Sequence, residues 1–89
     1  MKRLSIKIHN LEELVELNKI IERSKYESLN IDVGLDESYM VDGRSIIGLI
    51  NAFGQNMVMI VYGDELLEEE FIEDVSKSLT IEDIISKDN

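Results

Sequence analysis

The chain has 89 residues, a formal net charge of −10, and neither cysteine nor proline. That length is one domain with a modest core, and without cysteine it can hold no disulfide framework or thiolate metal site. Residues 1–44 carry 7 basic and 9 acidic side chains and residues 45–89 carry 2 and 10, a surface that makes nucleic acid and anionic membranes poor partners and suits either plain solubility or a basic partner facing the C-terminal half.

Leu4, Ile6 and Ile8 alternate with Arg3, Ser5 and Lys7, the pattern of a strand with one wet face. Asn10 and Glu13 have the spacing of a capping box. The helix they open carries Leu11, Leu14, Val15, Leu17, Ile20 and Ile21 on one stripe and is expected to end near Tyr26. Leu29, Ile31 and Val33 predict a second strand, Gly34 to Glu37 a hairpin bend, and Tyr39-Met40-Val41 its return arm. After the Asp42-Gly43 turn, Ser45 is expected to open a short helix through Ile46, Ile47, Leu49, Ile50 and Phe53.

Met57 to Tyr62 is apolar at every position, as in a central strand covered on both faces. Gly63-Asp64 precedes a long helix with Leu67, Phe71, Val75 and Leu79 at spacings of four, supplemented by Leu66 and Ile72. In residues 80–89, Thr80 and Asp83 suggest a cap for one more helical turn. The order β-α-β-β-α-β-α implies an α+β two-layer sandwich, a four-stranded antiparallel sheet with all helices on one face. Residues 1–79 form this domain and 80–89 a tail. The second face of the apolar strand needs a cover, for which the tail (Ile81, Ile84, Ile85) and a second copy of the chain are the candidates.

Three stretches, in this order and spacing, carry a resemblance: Ser24-Lys25-Tyr26 running into Leu29 to Val33, Val41 to Ile50, and Tyr62-Gly63-Asp64-Glu65. Over roughly residues 3–79 the chain resembles HPr, the phosphocarrier of the bacterial phosphoenolpyruvate-dependent sugar phosphotransferase system. The family carries phosphate on a histidine in a Gly-Ile-His-Ala-Arg-Pro run. Here that run is replaced by Asn10-Leu11-Glu12-Glu13-Leu14, with Glu12 at the phosphorylated position and Leu14 at the arginine. A carboxylate cannot relay a phosphoryl group as an imidazole does, and it repels the phosphate; the missing arginine removes the cationic partner. The resemblance therefore implies a non-enzymatic regulatory or protein-binding module.

The same resemblance puts Ser45 at the serine that an ATP-dependent HPr kinase modifies before the protein binds a transcriptional regulator. Arg44 would be the phosphate's neighbour, and Ile46, Ile47 and Ile50 a docking patch. A phosphate on Ser45 would meet a helix N-terminus; the plainer reading of Ser45 is an N-cap, a role serine commonly fills. Two alternatives stand beside this reading: an unswitched assembly protein that oligomerises, for instance as a homodimer, and residual phosphocarrier activity through His9, the single histidine. One histidine with scattered acids defines no metal site, Gly48 and Gly54 fit no phosphate loop, and Glu12/Glu16 and Glu69/Glu73 read as solvated charge. No cofactor is expected. Nothing resembles a signal peptide or a membrane span, so the expected location is the cytoplasm.

Overall fold

In a computed structural model the described residues are 1–36, 38–44 and 56–86. They form β1 (Lys2–Lys7), α1 (Leu11–Ile21), a short 3-10 turn (Ser24–Tyr26), β2 (Asn30–Asp36), β3 (Tyr39–Asp42), β4 (Asn56–Tyr62), α2 (Glu65–Ser78) and β5 (Thr80–Ser86). All strand pairings are antiparallel and the sheet order is β3-β2-β4-β1-β5. The α+β class therefore holds, but the described sheet has five strands where four were expected. The expected helix over Ser45 to Phe53 lies outside the described residues.

Alternation decides which side of the sheet is buried. Leu4, Ile6 and Ile8, then Ile31 and Val33, then Met57, Met59 and Val61 all point to one face. There they join Leu14, Leu17, Ile20 and Ile21 of α1 and Phe71 and Val75 of α2 in one core. Both described helices thus cover the same face. The helical stripe is narrower than the sequence implies: Leu11, Val15 and Leu66 are exposed, the last at 77%. At about 25 cal/mol per Å² of apolar area, the residues that remain in the core supply most of the drive to fold.

Helix α1 ends at Ile21, and the chain reaches Tyr26 through the separate 3-10 turn. The hairpin bend falls later than expected, because Gly34 is still paired with Val58. A side chain at Gly34 would run into the carbonyl oxygen of Tyr39, so the return arm can lie close only against glycine. The turn is made instead by Asp36, whose carboxylate accepts from the Ser38 backbone N–H at 2.8 Å and from its hydroxyl.

The tail is the main correction: residues 80–86 are a strand, not a helical turn. Ile81, Ile84 and Ile85 have helix-like spacing, but β1 would otherwise be a bare edge, and pairing with β5 satisfies its backbone groups. One extra residue, Glu82, is absorbed where the register shifts between Ser5 and Ile6. The tail accordingly extends the sheet sideways and does not lie across the second face of β4. No described helix is long and apolar enough to cross a membrane.

Candidate functional site

The N-terminus of α1, where the resemblance would put a phosphorylated residue, is closed by its own side chains. The Glu13 backbone N–H donates to Asn10 Oδ1 at 2.9 Å. Glu13 answers one residue earlier than a capping box requires: its Oε1 accepts from the His9 backbone N–H at 2.8 Å and lies 2.9 Å from His9 Nδ1. The His9 backbone N–H, and then the His9 ring, hold the Glu13 carboxyl below its ordinary range. His9 is exposed at the end of β1 and engaged by this carboxylate. Glu12 is exposed in the first turn, so the positive end of the helix dipole already faces two acids. Leu14 is 1% exposed and belongs to the core, so a side chain at that position does not reach the helix N-terminus.

Arg44 is the one member of the second expected site within the described residues; Ser45, Ile46, Ile47 and Ile50 lie outside them. Its guanidinium is engaged mainly by backbone, with Asp42 Oδ1 4.0 Å from Nη1. Nη2 donates to the Tyr26 carbonyl at 3.0 Å and both terminal nitrogens reach the Leu29 carbonyl at 3.4 Å. Its own N–H donates to Asp42 Oδ1 at 2.9 Å. Arg44 therefore pins the Asp42-Gly43 turn to the turn after α1, and a phosphate on its neighbour would have to compete with two carbonyls. Gly43 fits the same place, since a Cβ there would sit 2.9 Å from Ile31 Cγ2.

Two polar clusters on α2 were not legible in the sequence. Asp74 gathers Arg23 at 2.9 Å, Lys25 at 3.2 Å, Lys77 at 3.9 Å and the Tyr26 hydroxyl around one carboxylate. Tyr26 packs edge-on to Phe71, ring centres 5.1 Å apart, with Lys25 Nζ 5.0 Å from its own ring. Burial and then the Asp74 hydrogen bond push the Tyr26 phenol up to about 12. Donation from Tyr26 in turn holds Asp74 below the usual carboxylate range, against the desolvation that would raise it. A phenol so firmly protonated neither attacks nor relays protons near neutrality; the cluster ties the end of α1 to α2.

The second cluster centres on Glu68, which is 1% exposed. It accepts the Gly63 backbone N–H at 2.8 Å and sits 3.8 Å from Lys2 Nζ, itself buried at the start of β1. Tyr26 lies 48 residues from Asp74 and Lys2 66 residues from Glu68, beyond any local pattern. No group of metal-ligating side chains occurs among the described residues. Comparison with family models, with curated proteins and with solved structures gives no match to this chain.

Proposed function

We propose that the chain is a regulatory or protein-binding module on an HPr-like scaffold that does not carry phosphate itself. The observation that carries this reading is the closed N-terminus of α1. Asn10 and Glu13 take the cap, Glu12 adds a second negative charge, and Leu14 is turned into the core. A phosphohistidine intermediate there would lack both its acceptor and its cation. The succession β1-α1-β2-β3 and then β4-α2 supports the scaffold, with β5 as an addition.

Control would come through Ser45, phosphorylated by an HPr kinase and read by a transcriptional regulator that docks on Ile46, Ile47 and Ile50. The cytoplasm is the compartment in which such partners would be met. Arg44 serves in this reading as a brace for the preceding turn, since its guanidinium is already bound.

Intact mass is the test. Incubation with a bacterial HPr kinase and ATP is expected to add one phosphate that Ser45→Ala loses. Incubation with phosphoenolpyruvate and the first enzyme of the phosphotransferase system is expected to add none. Phosphate from phosphoenolpyruvate that disappears in His9→Ala would instead establish a phosphocarrier, and no addition from either source would leave an unswitched module.

A further inference from the structure

β1 is held on its two sides by unequal means. Towards β4 it meets Met57, Met59 and Val61, all fully buried. Towards β5 it meets a strand in which Ile81 is partly buried and every other residue is exposed. Ile84 stands across from Leu4, which is 0% exposed, and still keeps 50% of its own surface. No β5 residue belongs to the core cluster, and only Ile81 packs against it. Among the described residues, no β5 side chain makes a hydrogen bond or ion pair.

What ties β5 to the sheet is therefore backbone pairing, and the bulge between Ser5 and Ile6 interrupts even that. Its attachment to α2, in contrast, is firm. Leu79 lies in the core, and its N–H donates to the Val75 carbonyl at 2.9 Å. Thr80 opens the strand directly after it. β5 can leave β1 about this joint with the core closed and α2 in place, the kind of local opening that few buried apolar contacts permit.

We propose that β5 is a strap: it opens while β1 to β4, α1 and α2 stay folded, and the β1 edge it bares takes an extended strand of a partner protein. A bare edge is a row of unpaired N–H and C=O groups that templates pairing by another chain. Strand addition of this kind draws affinity from main-chain hydrogen bonds and specificity from alternate side chains. The chemistry of the occupant is that of the strand now in place. It has one apolar residue beside Ile6, another beside Leu4, and two acidic residues between them, the first of which fills the bulge. The strap keeps the site shut. Joined to α2 through Leu79 alone, its local concentration is on the order of mM, and a partner binds only the open fraction, with its apparent affinity reduced accordingly. Whatever weakens the Ile81 contact therefore turns the site on. The strap is independent of whether Ser45 is a switch.

Two measurements on the full chain test this. Hydrogen exchange should show the amides shared by β5 and β1 opening together, at least about tenfold ahead of those shared by β4 and β1. Ile81→Asp removes the one apolar contact of the strap, and circular dichroism should find the variant folded. It should bind a synthetic peptide with the sequence of residues 79–86 at least about tenfold more tightly than the unaltered chain does, and should not bind the same residues in scrambled order. The proposal is overturned by β5 amides that exchange only together with those of β4, or by an Ile81→Asp chain that unfolds. It is equally overturned by a folded variant that takes the peptide no better than the unaltered chain, takes the scrambled peptide as well, or pairs with its own copies and ignores both.

Discussion

Glu68 and Asp74 lie on the same helix, each bonded to elements far away in sequence, yet they hold the fold in opposite ways. Glu68 is withdrawn from water and meets the Gly63 N–H, the terminal ammonium of Met1 at 3.4 Å and a lysine that is itself buried. Asp74 keeps 15% of its side-chain surface and has a hydroxyl and three cations around it. In the first cluster water cannot replace a lost partner, so each group is essential to the others. In the second, solvent and redundancy blunt every single loss.

The largest effect is therefore expected from Glu68→Ala. It orphans the Gly63 N–H, removes the carboxylate 3.4 Å from the terminal ammonium, and leaves Lys2 with only the contact to exposed Glu65, 3.7 Å away. A loss of about 3 kcal/mol follows from breaking one side of a buried pair, read as a lower midpoint in urea at unchanged slope. Lys2→Met combined with Glu68→Met sharpens the comparison. Removing both charges should recover part of the loss and leave roughly the 1–3 kcal/mol of one unsatisfied buried N–H. A double variant no better than Glu68→Ala would mean that the ion pair is not what the site depends on.

Tyr26→Phe is the next largest. It keeps the ring against Phe71 and removes only the hydroxyl bonded to Asp74, at a cost of about 1–2 kcal/mol for a hydrogen bond to a charged group. The phenol also gives the cluster an alkaline signature. Its folded value near 12 lies above the ordinary 10.0. Stability from the protonated form is thus complete below pH 10 and drains away as pH rises toward 12. Ultraviolet titration should show a tyrosine step near 12 that Tyr26→Phe removes.

The contrast between the clusters parallels what could be read in advance. Local signals were sufficient for the Asn10 cap, which accepts from Glu13 as its spacing implies, and for the alternation of β1. They failed where distant chain decided the outcome. Ile81, Ile84 and Ile85 fit a helix stripe, but only Ile81 is even partly buried, and the strand exists because β1 offered an open edge. Leu11, Val15 and Leu66 have the right period and still face water, since period marks a stripe without fixing how much of it the sheet covers. At the candidate site, the sequence was enough to question phosphate transfer from Glu12 and Leu14. It could not show that Arg44 would be bound to carbonyls at residues 26 and 29, a contact made by folding.

The smallest effect should come from Arg23→Ala, which removes one exposed cation from Asp74. Arg23 retains 43% of its side-chain surface, and Lys25, Lys77 and the Tyr26 hydroxyl all remain on the carboxylate. A loss of no more than about 0.5 kcal/mol is expected, shrinking further in high salt. Acid distinguishes the cation from the carboxylate it serves. Asp74 is held below its ordinary 3.8, first by Tyr26 and then by Lys25 and Arg23. Its contribution is thus present above pH 3.8 and is lost as pH falls through the lowered value. Asp74→Asn should flatten that part of the acid unfolding curve, whereas Arg23→Ala should leave it nearly as steep. If Arg23→Ala flattened the curve as much as Asp74→Asn, the cluster would depend on this one cation, and its likeness to the unforgiving Glu68 site would be closer than its exposure implies.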